Sequence, residues 1–127
     1  MTGNEANFQK AMNDGHSAAW DQLWDKAAVS YRSALTEMPE NPKALSSLAL
    51  ALYQMQQFDE ALITYRSLSE ISPKDPIPFE KMAQLSERLG NIEIATEAAT
   101  KAAELYLSEK DVEKAIENWS RVTQLNP

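Results

Sequence analysis

The sequence predicts an all-α fold of about seven helices packed as antiparallel pairs. Three observations predict it. Apolar residues at 45, 48, 49 and 52, and again at 58, 61, 62, 65 and 68, recur at helical spacing. Pro39, Pro42, Pro73, Pro76 and Pro78 punctuate helix ends and starts, and Gly90-Asn91 reads as a stop followed by a new N-cap. Finally, the stretches 24–39, 58–73 and 112–127 share one pattern. Each has an alanine near its start (Ala27, Ala61, Ala115), an aromatic one turn later (Tyr31, Tyr65, Trp119) and a closing proline (Pro39, Pro73, Pro127).

The elements follow in order. Helices are expected over 6–20 and 24–38, before the proline pair, and over 42–55 and 58–71, which carry the two periodic apolar runs. A helix over 77–89 ends before Gly90, and one over 92–108 starts after the Asn91 cap. The last, 111–125, carries Val112, Ala115, Ile116, Trp119, Val122 and Leu125 as a wide apolar stripe. Residues 1–7 precede the first repeat and are expected to fray.

The repeat period settles the arrangement of these helices. Ala27 and Ala61 are 34 residues apart, as are Ala61 and Ala95, but Ala95 and Ala115 are only 20 apart. With its small and aromatic positions, this period resembles the tetratricopeptide repeat (TPR) family. The first repeat, 8–41, matches at Ala11, Gly15, Ala27, Tyr31, Ala34 and Pro39. The second, 42–75, matches at Leu45, Leu48, Ala49, Ala61, Tyr65 and Pro73, with Leu68 where alanine is usual. The third, 76–109, keeps Phe79, Met82, Ala83, Ala95 and Ala102, but has Ala99 in place of the aromatic and lacks the closing proline. The resemblance covers 8–127 and implies a single domain, a right-handed superhelix of the TPR solenoid type. The short final spacing implies that helix 92–108 serves two repeats at once, with 111–125 packed back on it.

Composition bounds the function. The 127 residues suffice for one domain, and 43% hydrophobic with 24% charged residues fits a folded chain. The net charge of −7 argues against nucleic acid and anionic membranes as partners. Cysteine is absent, so neither disulfides nor thiolate metal sites arise. The N-terminus has no apolar signal core and no stretch is apolar enough to span a bilayer, so the expected location is the cytoplasm.

Catalytic parts are scarce. His16 is the only histidine, and its neighbours Asp14 and Ser17 share its helix without triad geometry. No phosphate-loop, dinucleotide or metalloprotease motif is present, and three glycines leave little material for a phosphate cradle. No enzyme activity, cofactor or metal is therefore expected, which leaves binding.

The family resemblance implies where. In TPR proteins the first helix of each repeat lines a concave groove. The corresponding positions here include Met12, His16 and Trp20, then Leu50, Tyr53 and Gln54, then Ile77, Gln84 and Arg88. Aromatic, aliphatic and methionine side chains among a few polar groups compose a recognition surface for a protein or peptide. One TPR subclass grips a C-terminal carboxylate with cationic and amide residues. Those positions hold Met12, His16, Ser47, Ile77 and Lys81, of which only Lys81 keeps the charge, so that clamp is not expected. An inserted apolar side chain is the expected mode. The register also separates the two neighbouring tryptophans: Trp24 falls at a packing position, Trp20 on the concave side.

A second expectation concerns the C-terminal helix. Repeat arrays need end caps with a polar outer face, yet Ile116, Trp119 and Val122 make this one apolar. The alternative function is thus an architectural segment of a larger TPR protein, forming homo-oligomers through that face.

Overall fold

The computed structural model describes residues 4–127. Among them are seven helices and no strands: α1 (Glu5–Trp20), α2 (Trp24–Glu37), α3 (Pro42–Gln54), α4 (Phe58–Ile71), α5 (Pro76–Arg88), α6 (Ile92–Ser108) and α7 (Val112–Leu125). Side-chain caps set most of the starts. Asn4, Asn41, Asp75, Asn91 and Asp111 each accept from a backbone N–H two or three residues on, at 3.0–3.2 Å. Pro42 and Pro76 occupy the first turn, where a missing N–H costs nothing.

The start of α1 departs from the expectation of a frayed 1–7 segment. Residues 5–7, expected to fray, are the first turn of α1, because the Asn4 side chain caps it. Residues 1–3 of that expected segment lie outside the described ones.

The turns repeat with the helices. Gln22, Gln56 and Gly90 adopt left-handed φ angles of 61°, 63° and 83°, spaced one repeat apart, and Lys110 follows at 65°. At each, the next residue's N–H reaches back five positions: Leu23 to Ala18, Gln57 to Leu52, Asn91 to Ser86 and Asp111 to Tyr106. This double closure satisfies the last carbonyls of the helix and reverses the chain. Three of the four positions do without glycine, so the closure is strong enough to hold a side chain in a region most residues avoid.

The chain divides into two compact units, one ending at Thr64 and the other Tyr65–Pro127, with the boundary inside α4. In the first, α2 packs on both α1 and α3. Alanines 27, 28, 34, 44, 49 and 51 are buried completely, which lets helix backbones approach closely, and Leu52, Leu48 and Tyr31 fill the remaining space. Arg32 of α2 forms an exposed ion pair with Glu60 of α4.

In the second unit α6 packs on α5 and on α7. Its Ala95, Ala98, Ala99, Ala102 and Ala103 are all buried, so the helix presents small residues to two neighbours, as the short final spacing implies. The terminal helix also reaches α5. Asn118 donates to Glu80 at 3.0 Å and Arg121 donates to Glu87 at 2.7 Å. The latter pair spans 34 residues. Relative to α5, then, α7 takes the place of the first helix of a following repeat, a role its sequence pattern does not announce.

Candidate functional site

The first unit carries the better-defined half of the expected site. Its centre is the Tyr31 hydroxyl, brought up from α2. His16 Nδ1 lies 2.8 Å from it, and the two rings meet edge to face at 5.5 Å. The Ser47 side chain of α3 lies beside the same hydroxyl and acts to lower its pKa. One buried tyrosine therefore ties α1 and α3 together on one side of the unit.

That tie locates the remaining residues. Two successive chain reversals make α1 and α3 run in the same direction. Trp20 lies one turn beyond His16; Leu50 and Tyr53 lie one and two turns beyond Ser47. All three stand toward the same end of the unit, and all three are exposed: Trp20 at 88%, Leu50 at 47% and Tyr53 at 36%. Gln54 beside them is exposed too. Tyr53 is steadied by Phe58 at the start of α4, with ring centroids 5.4 Å apart at 64°. Trp24, by contrast, is half-buried.

Met12 is a correction. Expected in the groove, it is only 4% exposed. Phe8, Met12 and Gly15 stand at i, i+4 and i+7 and form the buried stripe of α1, so helical geometry takes Met12 inward. His16 and Trp20 form the next stripe round and stay out.

In the second unit Ile77 and Arg88 are exposed and Gln84 is half-buried. The neighbouring Glu80 holds a cluster that the sequence pattern does not reveal. Its carboxylate is buried and accepts from the Tyr106 hydroxyl and from Asn118 Nδ2, each at 3.0 Å. Asn118 Nδ2 also donates to the Lys114 carbonyl at 3.0 Å. Burial raises the Tyr106 phenol far above its usual range, and its bond to Glu80 and the negative charge there add to the effect. The Glu80 charge also holds the exposed Lys114 ammonium up. Partners 26 and 38 residues apart leave no local signal in a sequence.

Tyr31 is raised as well, chiefly by burial. Both phenols bind their protons more tightly folded than unfolded. They stabilise the fold fully below the unfolded phenol value of about 10, and that contribution is lost as the pH rises past it. The urea midpoint is expected to fall between pH 9 and pH 11 (roughly the phenol range), and less so in Tyr106→Phe. A midpoint that declines equally in both proteins counts against the Tyr106 contribution.

Two open clefts lie elsewhere. One of about 590 Å³ is lined by Glu37, Met38, Pro39, Glu40 and Asn41, and one of about 350 Å³ by Asp25, Lys26, Val29 and Ser30. Neither is lined by the expected groove residues. Among the described residues no three His, Cys, Asp or Glu side chains stand together as metal ligands, and no helix is long and apolar enough to cross a membrane. On α7, Ile116 is 56% exposed, Trp119 is exposed and Val122 half-buried.

These features match known proteins. A tetratricopeptide repeat family model matches residues 21–85, more than half of the chain. The chain belongs to the tetratricopeptide repeat family. Its fold is similar to a chain in the crystal structure of a T3SS complex from Aeromonas hydrophila, at TM-score 0.84 and 15% identity, covering 96% of this chain and 82% of that one. It is similar to PcrH in complex with the chaperone binding region of PopD, at TM-score 0.83 and 15% identity, over 96% and 92% of the two chains. It is also similar to the TPR2B domain of yeast Sti1 in complex with pHsp70, at TM-score 0.80 and 18% identity, over 94% and 96%. At these identities the likeness is one of fold.

Proposed function

We propose that this chain is a non-catalytic protein-interaction module that binds a peptide or protein segment on the α1–α3 side of its first unit. The observation that carries the reading is Trp20: a large aromatic, 88% exposed, on the side where Leu50 and Tyr53 are also exposed. A helix end gains nothing from leaving an indole in water, whereas a partner that covers one gains a hot spot. PcrH in complex with the chaperone binding region of PopD and the Sti1 domain in complex with pHsp70 share the fold, in line with this use of it. In the second unit, Ile77, Gln84 and Arg88 hold the equivalent positions of the third repeat and are proposed as contact residues of that unit. A cytoplasmic location belongs to the same proposal, and the net charge of −7 speaks against nucleic-acid and anionic-membrane partners.

The test uses a phage-displayed random peptide library, with selected peptides measured by fluorescence anisotropy. The double substitution Trp20→Ala, Leu50→Ala is expected to weaken binding by about thirtyfold or more, the loss of a hot spot of about 2 kcal/mol. The melting temperature should move little, because neither side chain belongs to the buried core. A sharp drop in melting temperature with unchanged affinity would show that both residues belong to the core.

The α7 face favours a second reading. Val112, Ile116 and Trp119 stand at i, i+4 and i+7 and are all exposed. Self-association through this face, as a segment of a larger array, is expected to give a mass by light scattering that grows with concentration. Ile116→Glu or Trp119→Glu, at retained helicity, should return it to that of a monomer. A wild-type monomer at high concentration removes this reading.

A further inference from the structure

The proton on the His16 ring has a fixed place. Tyr31 is 3% exposed, and its hydroxyl has two neighbours, His16 Nδ1 at 2.8 Å and the Ser47 side chain. Burial raises the phenol above its ordinary value, so the hydroxyl keeps its proton and must donate it. Ser47 beside it lowers the phenol somewhat, but among the described residues His16 Nδ1 alone meets the buried hydroxyl at hydrogen-bond distance. The Tyr31 proton is then left with one acceptor, the lone pair of His16 Nδ1. A neutral imidazole that accepts at one nitrogen carries its proton on the other.

The consequence falls on the outer edge of the ring. The two ring nitrogens diverge, so Nε2–H faces away from Tyr31. His16 is exposed, and its Nε2 has no hydrogen-bond partner among the described residues. Trp20 is one turn further along the same face of α1, within about 6 Å at Cβ. An oriented donor thus stands beside an exposed aromatic anchor.

We propose that His16 is a specificity-determining donor, its Nε2–H held outward by the bond between Nδ1 and the Tyr31 hydroxyl, so that a bound segment must set an acceptor oxygen there next to the group that covers Trp20. This rests on the interaction reading above and narrows its ligand. A polypeptide whose groups beside the anchor are purely apolar would leave the donor buried and unpaired, a penalty that excludes it.

As the only histidine, His16 can be read without ambiguity by long-range ¹H–¹⁵N correlation at pH about 8, above the ordinary imidazole range. The expected pattern is an acceptor-type Nδ1 and a protonated Nε2, shifting toward a tautomer mixture in Tyr31→Phe. Peptides selected on the wild type are then measured against His16→Phe, which keeps the ring and loses the donor. A loss of roughly three- to tenfold is expected, the worth of one neutral hydrogen bond. Alanine scanning of the peptide assigns the acceptor: one indispensable side chain means a side-chain oxygen, none means a main-chain carbonyl, and either supports the donor role. A protonated Nδ1 in the wild type overturns it. So do peptides that lose affinity in Trp20→Ala, Leu50→Ala yet bind His16→Phe unchanged, a result that leaves the interaction reading standing. A library that yields no Trp20-dependent binder removes both.

Discussion

Glu80→Ala lowers the stability of the protein by about 2–4 kcal/mol, since it strands two buried donors at about 1–3 kcal/mol each. The Tyr106 hydroxyl loses its acceptor outright. Asn118 Nδ2 keeps the Lys114 carbonyl, which moderates its share. The Asn118 Oδ1 atom already has no partner among the described residues, so the side chain has nothing to gain by turning over. Lys114 is exposed and its attraction to Glu80 is screened by water, so it adds little to the loss. Glu80→Gln keeps one carbonyl oxygen to accept and is expected to lose about half as much. Urea denaturation ranks the three proteins, and hydrogen exchange places the damage: amides of α5, α6 and α7 should exchange faster together, because the cluster ties α7 to α5. Equal stability of wild type and Glu80→Ala would mean that the cluster contributes nothing.

Gly15→Ala has the second largest expected effect, and its sign runs against helix propensity. In an exposed helix interior the substitution stabilises by about 1 kcal/mol. Here a Cβ would stand 2.5 Å from Tyr31 Cε1 and 2.7 Å from Cδ1. The ring cannot step aside easily, because it is buried and its hydroxyl is engaged by His16 and Ser47. Overpacking of this kind costs about 1–3 kcal/mol and disturbs the His16–Tyr31 bond as well, so a net loss is expected. Thermal denaturation decides the sign. A more stable Gly15→Ala protein would show that α1 and α2 can separate at no cost.

The Gly15–Tyr31 contact is legible in the sequence as a pattern. A small residue and an aromatic recur at fixed repeat positions, and the fold brings them together. The same holds for the helix limits, since Pro42, Pro76, Asn91 and Gly90 act through local backbone geometry. The exposure of Trp20 is legible too, because the repeat register keeps it off the packed stripe. Met12 is not: at a nominal groove position, it sits on the Phe8–Gly15 stripe, and a register borrowed from a family cannot weigh one stripe against its neighbour. Glu80 is hidden for another reason. Its partners come from two other helices, and nothing in the residues around it records that Tyr106 and Asn118 will face it. The place of α7 is likewise obscured, because its alanine and aromatic imitate the second helix of a repeat while its ion pair to Glu87 puts it in the place of the first.

The alanine wall of α6 has a consequence for how the second unit opens. Most helices of a repeat array can lose a neighbour and keep a partner. A helix with Ala95, Ala98, Ala99, Ala102 and Ala103 buried has few long side chains with which to close a gap, so losing α7 or α5 leaves it without the contacts that order it. Helices α5, α6 and α7 are therefore bound into one cooperative block, and the chain's last helix has no independent route to fraying.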